Sequence, residues 1–312
     1  MKLGIIGLGK MGQAMVFNLV EKGIEAVVFN RTAGKMDELA GQVKNGRILT
    51  KAYSYKEFIE KLPRPRIIWL MVEHGQAVDE VIEELIQNGL EKEDIVIDGG
   101  NSFYKDSVRR YNFLKEKGIH FLDAGTSGGL EGARKGACIM VGGERDVFEK
   151  VRAYFEAMAG TSGDVTYFGQ SGAGHFVKMV HNGVEYGMLE AIAEGFELLK
   201  KSPYKLDLQK VAVNWSKGSV VRGWLMDLLV KAFRDYPNLE AIEGKVGGGS
   251  TGEWTIETAQ ELKIDIPAIE AAVKARKQTK RVPTYAGKVI AALRNEFGGH
   301  EITINSKINT GK

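Results

Sequence analysis

The chain has 312 residues, with 43 basic against 40 acidic side chains, a formal net charge of +3 and one cysteine. That length accommodates two domains of about 100 to 200 residues each, and the balanced charge argues against nucleic acid or an anionic membrane as the main partner while leaving room for a small anionic ligand. The lone Cys138 excludes an internal disulfide framework and a cysteine-cluster metal site, so no metal is expected, and no apolar run approaches the length of a membrane span.

Met1-Lys2-Leu3-Gly4-Ile5-Ile6-Gly7 opens directly as a strand, without a charged leader or signal core, which predicts a soluble cytoplasmic protein. Short apolar strands at 3–8, 26–29, 67–72, 95–98, 121–123, 139–142 and 165–169 alternate with amphipathic helices. Alternation of this kind predicts an α/β fold, a Rossmann-type doubly wound parallel sheet, over residues 1–170. Cys138 is expected to be buried in its strand. From residue 171 the pattern turns helical and stays so, predicting an all-α C-terminal domain over 171–312. Its spine is a helix over 171–201, roughly 45 Å long at 1.5 Å per residue. Pro203, Pro237, Pro267 and Pro283 punctuate the rest of the helical region, and a polar tail runs beyond Phe297.

The first strand runs into Gly7-Leu8-Gly9-Lys10-Met11-Gly12 and then into a helical segment, the context that a dinucleotide-binding turn requires. Gly7 permits the tight turn, Gly9 lets a pyrophosphate approach the backbone, and Gly12 lets the helix pack on the sheet. After the second strand the chain reads Asn30-Arg31-Thr32. No carboxylate stands there to repel a 2′-phosphate, and Arg31 can pair with one, so NADP is expected, with NAD as the alternative. Arg31 could also simply open a solvated loop.

In Gly172-Ala173-Gly174-His175-Phe176-Val177-Lys178-Met179-Val180-His181-Asn182-Gly183-Val184-Glu185-Tyr186-Gly187, helical periodicity brings Lys178, His181, Asn182, Glu185 and Tyr186 into one arc. Phe176, Val180, Gly183, Val184, Gly187 and Ala191 fall opposite and read as a core face. Gly183 and Gly187 each cost a helix about 1 kcal/mol against Ala, which predicts tight packing at both. A lysine and a carboxylate two turns apart, with an amide and an imidazole between, suit acid-base chemistry on a polyol. The same spacing also describes a solvated helix face with side-chain pairs.

Asp123-Ala124-Gly125-Thr126-Ser127-Gly128-Gly129, with the Gly169 to Asn182 run after it, resembles the paired signatures of the β-hydroxyacid dehydrogenases. Within that group Asp98-Gly99-Gly100-Asn101-Ser102, the His181 to Tyr186 extension and Ser250-Thr251-Gly252-Glu253-Trp254-Thr255 resemble decarboxylating 6-phosphogluconate dehydrogenase, in a short form that lacks much of the long enzymes' helical domain. The resemblance covers the whole chain. It implies that Lys178, partly neutral at working pH, takes the 3-hydroxyl proton, and that Glu185 protonates C1 after CO₂ leaves. His181 and Asn182 complete the implied catalytic group, and no metal takes part.

The resemblance further implies substrate contacts from Asn101, Ser127, Gly128, Gly129, His181 and Asn182 at the sugar-acid end, and from Tyr186, Thr251 and Arg276 at the phosphate. Gly7, Gly9, Met11, Gly12, Asn30, Arg31, Thr32, Val72 and Asn101 are the implied cofactor contacts. Arg294 and His300 resemble a tail segment that reaches the neighbouring subunit's site, implying a homodimer or tetramer. By itself a cation near a helix end explains those two residues. The implied place is the pentose phosphate pathway, in gluconate utilisation. Two positions depart from the pattern. Gly249 stands where long members place a phosphate-binding lysine, and Glu73 stands where they often carry a basic residue by the cofactor.

Three other readings are open at this point. A related dehydrogenase could act on a small 3-hydroxy acid without decarboxylation, and a dinucleotide-binding regulator need not turn over. Lys274, Arg276, Lys277, Lys280 and Arg281 could form a nucleic-acid patch, although no aromatics interleave them for base stacking.

Overall fold

The computed structural model describes residues 1–43 and 48–304. The end of the polar tail, residues 305–312, lies outside the described residues. Contacts divide the chain into two compact units, Met1–Met179 and Val180–Lys312.

In the first unit the elements are β1 (Lys2–Ile6), α1 (Lys10–Glu21), β2 (Glu25–Phe29), α2 (Gly34–Gln42), β3 (Leu49–Lys51), α3 (Tyr55–Glu60), β4 (Ile67–Leu70), α4 (Gln76–Gln87), β5 (Ile95–Asp98), α5 (Tyr104–Lys115), β6 (His120–Ser127), α6 (Gly129–Lys135), β7 (Cys138–Gly143), α7 (Arg145–Ala159) and β8 (Asp164–Gly169). They form one sheet in the order β3-β2-β1-β4-β5-β6-β7-β8. Successive strand residues face opposite sides of such a sheet, and the burial follows that parity. Leu3, Ile5, Ala26, Val28, Trp69, Ile95 and Ile97 pack with Met15, Val16, Leu19, Phe148, Val151 and Phe155 of α1 and α7. Ile6, Val27, Phe29, Ile68, Leu70 and Val96 pack with Phe58, Val78, Ile82, Leu85 and Leu114 of α3, α4 and α5. Helices therefore cover both faces, the doubly wound arrangement expected.

Three details differ from the expectation. The sheet is not wholly parallel, because β7 runs antiparallel to β6, pairing Ser127 with Cys138 and Asp123 with Gly142. Only the short α6 separates the two strands, less chain than the dozen or so residues that a parallel crossover needs. That antiparallel pairing also carries β6 on through Ser127, well past the 121–123 read from its apolar residues. Finally, Cys138 heads its strand and is exposed rather than buried.

The helix α8 (Ala173–Lys201) comes next, and the boundary between the units falls inside it. The second unit continues with α9 (Leu208–Trp215), α10 (Trp224–Asp235), a 3-10 turn (Pro237–Leu239), α11 (Ser250–Leu262), α12 (Pro267–Thr279) and α13 (Tyr285–Gly298). Its core gathers Leu189, Ala193 and Phe196 of α8 with Leu208, Met226, Leu229, Phe233, Val289, Ile290 and Leu293.

The polarity of α8 is the reverse of the expectation. Gly183 is packed, since a Cβ there would lie 2.8 Å from Thr255 Cγ2, but Gly187 has nothing within 4 Å. Val180 and Ala191 are exposed, and Val184 and Met188 are 51% and 50% exposed. Lys178, on the face read as polar, is only 8% exposed. The side of α8 bearing Lys178, Leu189, Ala193 and Phe196 is the one the chain buries, leaving much of the apolar face in solvent.

Candidate active site

The turn after β1 is shaped by its glycines in three different ways. Gly7 has φ +99°, and a Cβ on it would fall 2.3 Å from the Met71 carbonyl oxygen. A Cβ on Gly12 would fall 2.0 Å from the Gly7 oxygen, so α1 can start against the turn only as glycine. Gly9 has ordinary extended backbone angles, and a Cβ there would meet nothing within 4 Å. Neither strain nor packing within the chain requires glycine at that position. The open space lies at the start of α1, whose first turn carries no acidic residue, and it fits an approaching pyrophosphate.

Asn30 ties this turn to the one after β2. Its Oδ1 accepts from the Leu8 N–H at 2.9 Å and its Nδ2 donates to the Thr32 oxygen at 3.0 Å. Arg31 and Thr32 are exposed beside it, Met11 and Val72 are half-buried, and Glu73 is exposed after β4. These residues fit a dinucleotide, with Arg31 free of any carboxylate partner among the described residues.

Lys178 is seated by a set of close backbone approaches. A Cβ on Gly125 would stand 2.3 Å from the Lys178 Cβ, and one on Gly174 would stand 2.3 Å from the Met140 oxygen. The first turn of α8 thus lies against the middle of β6 and β7. Asp123, fully buried, holds it there by accepting from Gly172 N at 2.7 Å and His175 N at 2.8 Å. A carboxylate at a helix N-terminus satisfies otherwise unpaired N–H groups and complements the helix dipole. His175, also buried, is fixed by a 2.7 Å hydrogen bond between its Nδ1 and the Ser107 hydroxyl. Ser127 ends β6, and Gly128 and Gly129 come next with φ of +108° and +60°, a left-handed turn that suits glycine. Asn101 is exposed after β5, between Gly100 and the buried Ser102.

Lys178, Asn182 and Glu185 are spaced by four and then three residues along the single helix α8, so their side chains leave one face of it. His181 Nδ1 lies 3.1 Å from Asn182 Oδ1, each orienting the other.

In the second unit two guanidiniums meet. Arg276 is buried, lies 4.4 Å over the Tyr186 ring and donates to the Gly247 oxygen. Arg294 donates to the same oxygen at 3.0 Å. Burial lowers the Arg276 pKa, and burial followed by the charge of Arg276 pushes Arg294 down to about 10. Both remain cationic at neutral pH, and among the described residues neither has a carboxylate within salt-bridge distance. Two like charges held together this way favour an anion between them. Thr251, buried in the first turn of α11, belongs to this unit too. Gly252 in the same turn packs against Tyr186, where a Cβ would come within 2.9 Å of the ring. Gly249 offers no side chain.

The resemblance implied that Arg294 and His300 reach a neighbouring subunit's site, and within their own unit the two residues take different places. Arg294 joins Arg276 because α13 returns to the Gly247 turn of its own unit. His300 is exposed, its ring edge-on to Phe297 at 6.3 Å. Sequence reasoning missed Asp123, Asp98 and Arg110 as organisers of the site. A carboxylate closing a short apolar run, with glycines after it, was the signal available for the first two.

The dinucleotide cradle and the buried lysine define a pyridine-nucleotide-dependent dehydrogenase. Residues 2–169 match the NAD binding domain of 6-phosphogluconate dehydrogenase, and residues 174–284 match the 6-phosphogluconate dehydrogenase C-terminal domain. The chain belongs to the 6-phosphogluconate dehydrogenase family. It is 46% identical to the Bacillus subtilis protein YqeC over 96% of this chain and 98% of that one. It is 39% identical to the NAD(+)-dependent, decarboxylating 6-phosphogluconate dehydrogenase of Haloferax volcanii, over 97% and 98% of the two chains. Among solved structures, Plasmodium falciparum 6-phosphogluconate dehydrogenase, described with NADP+ and with 6-phosphogluconate, superposes with a TM-score of 0.81 at 34% identity. That match covers 90% of this chain but only 62% of the longer Plasmodium enzyme.

Proposed function

We propose that this protein oxidatively decarboxylates 6-phospho-D-gluconate to D-ribulose 5-phosphate and CO₂ while reducing NADP. Residues 1–170 serve as the cofactor domain and 171–312 as the substrate and dimerisation domain. The observation that carries the reading is the Arg276–Arg294 pair at one carbonyl, a dication with no carboxylate in salt-bridge distance among the described residues and suited to a phosphate dianion. A small 3-hydroxy acid would leave that pair without use.

A dinucleotide held over Gly7, Gly9 and Gly12 would supply the acceptor for the hydride that leaves C3. Lys178 takes the 3-hydroxyl proton and then returns positive charge to the ketone oxygen as the carboxylate departs as CO₂. Glu185 supplies the proton that C1 of the enediol gains, and His181 and Asn182 hold the sugar-acid end with Asn101 and Ser127-Gly128-Gly129. Tyr186, Thr251, Arg276 and Arg294 hold the phosphate. Arg31 selects NADP, and NAD is the competing cofactor that the Haloferax relative's name specifies.

Two copies, or two pairs, would bury the exposed apolar stripe of Val180, Val184, Met188 and Leu198 on α8. No helix among the described residues is long and apolar enough to cross a membrane, and we place the enzyme in the cytoplasm.

The test is a paired assay with 6-phosphogluconate that follows reduced cofactor and CO₂ together, with NADP and NAD side by side. Equal amounts of both products support the reading. Reduction without CO₂ would move the protein to simple 3-hydroxy acid oxidation, and cofactor binding without turnover to a regulator.

A further inference from the structure

Arg110 of α5 is 1% exposed, yet it lies on neither the cofactor cradle nor the lysine face. Its three nitrogens reach three separate places. Nε donates to Asp79 Oδ1 of α4 at 2.7 Å, Nη2 to the Gly75 oxygen at 2.8 Å and Nη1 to Asp98 Oδ2 at 3.3 Å. Asp98, fully buried at the end of β5, also accepts from Gly100 N at 3.1 Å and from the Ser102 hydroxyl at 2.8 Å. Asp98 therefore holds the residues on either side of Asn101, while Asn101 itself is left exposed. Gly75 closes the turn after β4 that begins at Val72, with φ +80°. A Cβ on Gly100 would lie 3.0 Å from the Val72 oxygen, so the two turns also touch directly.

We propose that Arg110 is a positioning residue for both ligands. It fixes the turn carrying Val72 and the turn carrying Asn101 in one register, through Gly75 on one side and Asp98 on the other. The inference rests on the proposed function for its ligands. A planar guanidinium can span three acceptors in fixed directions, which an ammonium of the same charge cannot. Arg109 neutralises the second oxygen of Asp79 at 2.7 Å, so two arginines and two aspartates balance and the clamp carries no net charge to the end of β5.

The experiment compares Arg110→Lys and Ser102→Ala with the unaltered protein. Three quantities are read: the Kd of NADP for the free protein by fluorescence titration, the Michaelis constant of the sugar acid 6-phosphogluconate, and the thermal midpoint. Arg110→Lys should weaken NADP binding and raise the sugar-acid Michaelis constant, each about tenfold. Ser102→Ala, which loosens the Asn101 turn and leaves the Val72 turn held, should raise the sugar-acid Michaelis constant about fivefold and weaken NADP binding less than Arg110→Lys does. A folded Arg110→Lys protein with both constants within twofold of the original, and only a lower midpoint, would overturn the proposal. Should Arg110→Lys not fold, Ser102→Ala decides, and an unchanged sugar-acid Michaelis constant overturns it. If the unaltered protein binds NADP but does not oxidise 6-phosphogluconate, the proposed function fails, while the NADP titration of Arg110→Lys still judges the clamp.

Discussion

Arg276 and Arg294 donate to one acceptor, the Gly247 carbonyl, from α12 and α13 of the same chain. Each loses part of its hydration there, and the charge of Arg276 further lowers the Arg294 pKa. A phosphate dianion removes that repulsion. Arg294→Ala should therefore raise the Michaelis constant for the phosphorylated sugar acid by one to two orders of magnitude, equivalent to about 2 kcal/mol of charge-assisted hydrogen bonding. Turnover of unphosphorylated gluconate should change little. Mixing Arg294→Ala subunits with Lys178→Ala subunits tells whose site Arg294 serves, and no recovery of activity would keep it in the site of its own chain. Recovery on mixing would place Arg294 in a neighbour's site.

Selection of NADP is separable from the shape of the cradle. Arg31 is exposed and its proposed action is on the 2′-phosphate, so Arg31→Ala should raise the Michaelis constant for NADP at least tenfold and leave that for NAD within threefold. Asn30 holds Leu8 N and the Thr32 oxygen and so shapes the turn for either cofactor. Asn30→Asp keeps the acceptor for Leu8 N but places a negative charge where the 2′-phosphate would lie. It should reverse the preference in favour of NAD, measured as the ratio of kcat/KM values.

What the sequence disclosed and what it withheld divide by distance along the chain. The junction at Gly7, Gly9 and Gly12 was legible because strand, turn and helix succeed one another within a dozen residues, and the common helix of Lys178 and Glu185 because their spacing is local to it. The antiparallel β7 was hidden, since strand direction depends on how far the chain must travel between β6 and β7. Arg110 was hidden for a related reason: its acceptors at residues 75, 79 and 98 belong to other elements. The apolar side of α8 was misread because periodicity finds a hydrophobic face without saying whether the same chain covers it. Val184 and Met188 are half exposed while Lys178 is buried.

Gly125 sets the position of the proposed base. The missing Cβ would stand 2.3 Å from that of Lys178 and 3.1 Å from the Gly174 oxygen, so any side chain at 125 pushes α8 away from β6. Gly125→Ala should destabilise the protein by about 1–3 kcal/mol, the usual effect of overpacking. It should lower kcat by at least two orders of magnitude, since misplacement of about 1 Å can cost a hundredfold. The NADP Kd should stay within twofold because the cradle is built on β1, β2 and β4. A folded Gly125→Ala protein with unaltered kcat would remove Lys178 from the role of base.

Glu190 predicts a pH dependence of stability. It lies on the helical unit's part of α8, half-buried, and loss of hydration, with Glu194 and Glu197 adding to it, raises its pKa from 4.5 to about 7. Among the described residues no cation pairs with it. The folded state thus holds the proton more tightly than the unfolded chain does. The corresponding stability is fully present below about pH 4.5 and is lost as pH rises through 7. After discounting for solvent screening of a half-exposed group, the loss is on the order of 1 kcal/mol. Glu190→Gln keeps the neutral form at every pH. Its thermal midpoint should match that of the unaltered protein near pH 5 and exceed it by about 2 °C at pH 8. An equal midpoint difference at both pH values would show that Glu190 is ionised throughout, with its charge screened by water.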